Sequence, residues 1–273
     1  MKGKGRSGNR TPRDHAGVAR AGSGQVRREH VRRVDGNLLR CYGDRPWAPR
    51  FEGLLDGLVH TILSQNTSDA NSYLAFRRLK ERFPRWEDAA AAGEAAVEEA
   101  IRPGGISRVK AARIAELLER VRGDFGSYCL APLAGMEPRA ALAYLMDIPG
   151  VGRKTAAVLL LFQLGHPLFP VDTHVLRVGK RLGLIPERAG PDRAHEVMDA
   201  LVPDDIKYRL HLNMVEHGRK VCRARRPRCE GCCLRDICPS AVVAVGVRGK
   251  GEDGTAGCGR PATGRPRGGT VTW

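Results

Sequence analysis

No stretch of the 273-residue chain approaches the roughly 18 to 20 uninterrupted apolar residues that a membrane-spanning helix needs. The N-terminus carries charge with no apolar stretch behind it, so no secretory signal is expected. Alternating apolar and polar runs long enough for half-buried strands are absent, which argues against a sheet protein. A nucleotide phosphate loop is excluded, because G-x-x-x-x-G-K-[ST] ending on Lys154 would need glycines where Ile148 and Arg153 stand. Acidic residues are also few. Against 46 Lys and Arg there are 30 Asp and Glu, a formal charge of +16 that implies a polyanionic partner.

Where the cations sit narrows that implication. Residues 1–34 carry ten Lys and Arg against two acids, and residues 241–273 carry five against two. Both segments are Gly- and Arg-rich with little apolar content, and both are expected to be disordered tails that add non-specific attraction to nucleic acid. The N-terminal tail has the Arg-rich, acid-poor composition of an organellar transit peptide, but its apolar residues form no amphipathic face. Only +5 remains for residues 35–240, and the stretch from Arg219 to Arg228 supplies six cations (Arg219, Lys220, Arg223, Arg225, Arg226, Arg228). The body therefore carries one concentrated basic site.

Five of the eight cysteines fall between Cys222 and Cys238, while Cys41, Cys129 and Cys258 are scattered. With no export signal, such clustering favours metal ligation in a reducing compartment over a disulfide framework. Cys222, Cys229, Cys232 and Cys238 form C-x6-C-x2-C-x5-C, close enough to wrap one site. By chemistry alone that site suits tetrahedral zinc or an iron–sulfur cube. Cys233 falls outside the spacing and is expected to be a free thiol. Between the tails the apolar periodicity is helical. Leu54, Leu55, Leu58, Val59, Ile62 and Leu63 repeat at helix spacing, as do Leu74, Leu79 and Phe83, then Val109, Ile114, Leu117, Leu118 and Val121. Prolines and glycines punctuate the rest, and the pattern predicts an all-α protein of about nine or ten helices.

Residues 139–164 read as helix, tight turn, helix: RAALAYLMD, IPGVG, RKTAAVLLLFQL. Gly150 and Gly152 bracket one residue, which lets the chain turn sharply and leaves amides unshielded at a helix N-terminus, an arrangement that suits a phosphate. The same spacing also suits an ordinary turn between core helices. Lys154 lies in the first turn of the second helix, where the positive end of the helix dipole disfavours a further cation and lowers its pKa. By position alone it is a nucleophile, a phosphate contact or a solvated lysine. Asp172 opens the run THVLRVGKRL as a helix N-cap would.

IPGVGRKTA, followed eighteen residues beyond its lysine by the aspartate of VDTH and then by the four-cysteine spacing, resembles the endonuclease III family of base-excision DNA glycosylases. The resemblance runs from about residue 50 to Cys238 and leaves both tails uncovered. It implies an all-α helix-hairpin-helix glycosylase fold, with a six-helix barrel at 46–166, an iron–sulfur cluster domain built from 35–45 and 167–240, and a DNA cleft between them. In that family a lysine attacks the sugar C1′ and stays attached as a Schiff base, which an amine can do. Lys154 takes that role, and Asp172 assists its deprotonation and stabilises positive charge on the sugar. The hairpin residues Gly150, Gly152 and Arg153 are implied to grip the damaged strand. Gln65 and Ile106 are implied to fill the stack vacated by an extruded base, whose extrusion costs a few kcal/mol. Ile106 stands where the family has leucine, and its branched Cβ makes a shorter, stiffer wedge.

The four cysteines are implied to hold a [4Fe-4S] cluster. Arg223, Arg225, Arg226 and Arg228, on a loop pinned at both ends, would contact phosphates. The implied reaction releases an oxidised pyrimidine from double-stranded DNA and cleaves the abasic site by β-elimination. A monomer is expected, in the cytoplasm beside the nucleoid if bacterial, in the nucleus or mitochondrion if eukaryotic. Two alternatives differ in class. A monofunctional glycosylase for mismatched or alkylated bases would use Asp172 to activate water and would not need Lys154. A catalytically inactive DNA-binding module would be expected to have changed one of the two. The adenine-excising branch carries a catalytic glutamate four residues before its Q-Q-T motif. Here the match is Gln65-Asn66-Thr67, the corresponding residue is Thr61, and no second recognition domain is expected after Cys238.

Overall fold

A computed structural model describes residues 16–49 and 51–241, with side chains from residue 25 onward. Among the described residues the regular structure is helical throughout. The α-helices run α1 Ala16–Tyr42, α2 Leu54–Ser64, α3 Asp69–Arg82, α4 Trp86–Ala92, α5 Glu94–Ile101, α6 Ser107–Phe125, α7 Pro138–Met146, α8 Arg153–Leu164, α9 Thr173–Arg181, α10 Pro191–Leu201 and α11 Lys207–Lys220. None of them is long and apolar enough to cross a membrane. Segment 46–166, expected to hold six helices, holds seven. Gly93, at φ +81°, divides the Ala- and Glu-rich run around it into α4 and α5, a backbone state that costs glycine little.

The N-terminal tail needs correction. Residues 16–34, expected to be disordered, belong to α1. Val31, Val34 and Leu38 are fully buried, spaced so that one narrow stripe of the helix meets the body. Polar anchors reinforce that stripe. Arg27 donates to the Leu184 carbonyl at 2.8 Å, and Arg32 makes a bidentate pair with Asp205 at 2.6 and 2.9 Å. Composition missed the helix because three apolar residues in a basic stretch barely change an average. Residues 1–15 and 242–273, with Cys258, lie outside the described residues.

Two hydrophobic cores divide the chain. The first is built from α2 to α8 and ends at Leu168. The second begins at Phe169, gathers α9 to α11, and takes Val31, Val34 and Leu38 from α1. Helix α8 serves both halves. Ala156, Ala157, Leu159 and Leu160 face the first core, whereas Val158, Leu161 and Phe162 pack on Leu212 and Tyr208 of α11. A helix buried on most sides has little polar face to show, hence the apolar run VLLLF. Each leucine-sized side chain buried here stabilises by roughly 1.5–3 kcal/mol.

The α2 periodicity holds, since all six of its predicted apolar residues are at most 6% exposed. In α6 it fails at one position. Val109 is 48% exposed, and its neighbour Lys110, at 3%, is the side chain turned inward. Helices α9 and α11 approach unusually closely at Gly218, where a Cβ would stand 2.8 Å from that of His174. That contact brings the start of α9 and the end of α11 around one cavity.

Candidate active site

The cavity, of about 400 Å³, is lined by Lys154, Val171, Asp172, Thr173, His174, Leu176, Pro191 and Arg219. Lys154 and Asp172, separated in sequence, therefore share one site whose size is that of a small-ligand pocket. Burial holds the Lys154 amine below the ordinary lysine range; Asp172 pulls it back up and Arg219 pushes it further down. Desolvation thus acts on the amine in the same direction as the helix dipole argued from position. Asp172 is the N-cap of α9, its Oδ1 accepting from the Val175 amide at 2.7 Å. The cap fixes the carboxylate's rotamer beside the amine.

What aims Asp172 is the extended segment before it, held by side chains that the sequence pattern did not single out. Asp199 Oδ1 accepts from the Phe169 amide at 2.5 Å, and Lys207 donates to the Pro167 carbonyl at 2.6 Å. His195 Nδ1 lies 3.2 Å from the Phe169 carbonyl, and His211 Nδ1 lies 3.0 Å from that of Pro170. A carbonyl only accepts, so both nitrogens carry the proton. Burial pushes both histidines down, His211 to about 4. They are neutral props. Arg219 was visible in sequence only as one of six clustered cations. Its place in the Lys154 cavity depends on how α11 crosses α9.

At the hairpin, Gly150 takes φ +83° and Gly152 is the N-cap of α8 at φ −82°. Only Gly150 needs a glycine backbone; at Gly152 the missing side chain leaves open space beside the amides. The Arg153 guanidinium lies 3.9 Å from the half-buried Asp199 carboxylate, and both line a second cavity of about 700 Å³. Gln65 is half-buried at the end of α2 and bridges two elements. Its Oε1 accepts from Arg113 at 2.7 Å and its Nε2 donates to the Gly150 carbonyl at 2.9 Å. Ile106 is 56% exposed with φ +48°. A β-branched residue in the left-handed region is strained, and an exposed side chain gains no core packing in return.

The four spaced cysteines line one cavity of about 310 Å³ whose walls include Val178, Leu182, Val221 and Leu234. Arg181 donates to Cys222 Sγ at 3.2 Å and the Leu234 amide to Cys232 Sγ at 3.4 Å. Among the described residues no three His, Cys, Asp or Glu side chains are grouped tightly enough for a single metal ion. Four thiols spread around an apolar cavity fit a multi-atom cluster better than one ion at bond lengths of about 2.3 Å. Cys233 lies outside that lining and is a free thiol whose side chain hydrogen-bonds that of Cys41 of α1, also free. Arg177 and Arg181 of α9 bond the carbonyls of Gly218, Cys222, Arg223 and Ala224. The loop is thus pinned from behind while Arg223, Arg225, Arg226 and Arg228 stay exposed.

Comparison with known proteins agrees with this arrangement. Residues 59–204 match the profile of the HhH-GPD superfamily base excision DNA repair proteins. A protein of Arabidopsis thaliana named provisionally as a DNA glycosylase is 40% identical over 171 residues, 63% of this chain and 58% of that protein. The chain thus spans under two thirds of that relative's length. Endonuclease III of Thermotoga maritima is 35% identical over 195 residues, 71% of this chain and 85% of the enzyme. A solved structure of a trapped covalent intermediate between endonuclease III and DNA superposes with a TM-score of 0.63 at 27% identity, covering 80% of this chain and 98% of that one. The chain belongs to the HhH-GPD superfamily of base excision DNA repair proteins and, within it, to the endonuclease III family of DNA glycosylases.

Proposed function

We propose that the chain is a bifunctional DNA glycosylase and abasic-site lyase that removes oxidised pyrimidines from duplex DNA. The observation that carries this reading is the shared cavity, in which an amine kept below its ordinary pKa by burial and by Arg219 stands with a capped carboxylate. An unprotonated amine is what nucleophilic attack requires. The Lys154 lone pair forms a bond to C1′, and the base departs with the electrons of its glycosidic bond and takes up a proton. The lysine then gives up a proton, the sugar ring opens and a protonated Schiff base forms. Loss of a C2′ proton expels the 3′ phosphate with its electron pair, and water returns Lys154. Asp172 accepts protons from the amine and balances positive charge on the sugar. Both groups come from one chain, which supports a monomer.

The oxidised pyrimidine follows the family resemblance. Cys222, Cys229, Cys232 and Cys238 would hold a [4Fe-4S] cluster, whose contribution is to cross-link the loop that carries the four arginines. Borohydride trapping on a duplex with one abasic site tests the lyase: a covalent adduct is expected, and Lys154→Ala should give none. Absence of the adduct, or equal trapping by Lys154→Ala, refutes it. Duplexes bearing one thymine glycol, one mismatch or one alkylated base test the substrate, with thymine glycol released fastest. Purified protein should be brown and hold iron and acid-labile sulfide; colourless protein with one zinc defeats the cluster.

A further inference from the structure

Lys110 has no part in the chemistry above, yet it is buried to 3% exposure with no carboxylate partner among the described residues. Its Nζ donates to the carbonyls of Leu63 and Gly104, each at 2.8 Å, and to the Thr67 hydroxyl. Thr67 Oγ1 in turn lies 2.6 Å from the Gly104 carbonyl. Leu63 is in the last turn of α2, where the negative end of the helix dipole favours a cation. The ammonium has three donors and all three are used. Its acceptors belong to two separate segments, the last turn of α2 with the loop that leads on to α3, and the turn entering α6.

These two loops carry Gln65 and Ile106. Each contains a non-glycine residue in the left-handed region, Asn66 at φ +52° and Ile106 at φ +48°. Neither conformation is favourable by itself, so the surroundings must hold it. Lys110 grips the backbone within two residues of Gln65 on one loop and of Ile106 on the other. Arg113, on the same face of α6, grips the Gln65 side chain and through it the hairpin at Gly150.

We propose that Lys110 is a positioning residue for base extrusion: it ties the two gap-filling loops into one rigid unit, so that Gln65 and Ile106 enter the stack without being ordered at that moment. This rests on reading those two residues as the gap fillers. Pre-ordering lowers the entropic cost of binding, and a misplacement of about 1 Å can slow a reaction up to about a hundredfold.

The test compares single-turnover cleavage at an abasic site in duplex DNA, which requires the stack to be opened, with cleavage at an abasic site in single-stranded DNA, which does not. Lys110→Met, similar in length and uncharged, should slow the duplex reaction about ten- to a hundredfold and leave the single-stranded reaction within about twofold. It should also abolish the fluorescence change of a 2-aminopurine placed opposite a tetrahydrofuran abasic analogue. Equal slowing on both substrates, or an unchanged duplex rate, overturns the proposal. Should Lys110→Met fail to fold, Thr67→Val must show the same split and Thr67→Ser must restore the duplex rate. Gln65→Ala and Ile106→Ala separate the two readings. If they leave duplex cleavage and fluorescence unchanged, the gap-filling reading fails; if they slow duplex cleavage and Lys110→Met does not, the clamp alone fails.

Discussion

The regions around Lys154 and Lys110 start from the same physics and end differently. Burial holds both amines below the ordinary lysine range. Around Lys110 three oxygen acceptors satisfy the ammonium, so the charge stays and works as a cross-link. Around Lys154 no hydrogen bond from the described residues ties down Nζ; it meets a carboxylate, a second cation and an open cavity. A desolvated lysine with full hydrogen bonding is a structural cation, and one left partly unsatisfied beside a cavity meets the conditions the proposed nucleophile needs.

The largest effect expected on that contrast comes from the carboxylate. Asp172→Asn should lower single-turnover base release roughly 10²–10⁴-fold with little change in melting, because asparagine caps helices about as well. Asp172→Ala should add a stability loss of about 1 kcal/mol. A large melting change in the Asn variant would show that the residue is chiefly a cap. Next in size is the strain beside the clamp. Ile106→Gly should raise stability by about 1–2 kcal/mol, the cost of the left-handed backbone, while slowing duplex cleavage; denaturant melts check the first and single-turnover assays the second.

A smaller effect is expected at Arg219, whose charge lowers the Lys154 pKa. Arg219→Met should raise that pKa, so the rise of trapping rate with pH moves to higher pH and the neutral-pH rate falls severalfold. Lys110 has no such charged neighbour, and the same substitution should leave duplex opening by 2-aminopurine unchanged. The smallest effect is expected on the cluster loop. Arg225→Ala should weaken binding similarly for all sequences and reduce the slope of log affinity against log salt by about 1, with excision of bound substrate unaltered.

Much of the site was legible because its residues are close in the chain or cluster by type. The hairpin glycines, Lys154 and the four cysteines each lie within one short segment. The α2 apolar run was legible because burial has a period, and that of α8 because a helix buried on most sides is apolar nearly throughout. Lys110 was not, since a lysine beside Val109 in an amphipathic pattern reads as solvated, and only the three acceptors waiting below it reverse that order. The pairing of Arg153 with Asp199 on α10 was not legible either, because sequence adjacency to Lys154 says nothing about a distant helix. The helix at residues 16–34 was hidden by its basic composition.

The sequence alone determined the all-helical class, the turn at Gly150 and the cysteine spacing, because these follow from local periodicity, backbone freedom and residue chemistry; it singled out Lys154 and Asp172 only through the family resemblance. The tertiary structure decided which lysine is desolvated next to what. Electrostatics and solvation act through space, so the pairing of Lys154 with Asp172 and Arg219, the props on the segment before Asp172, and the grip of Lys110 on two loops exist only once the helices have packed.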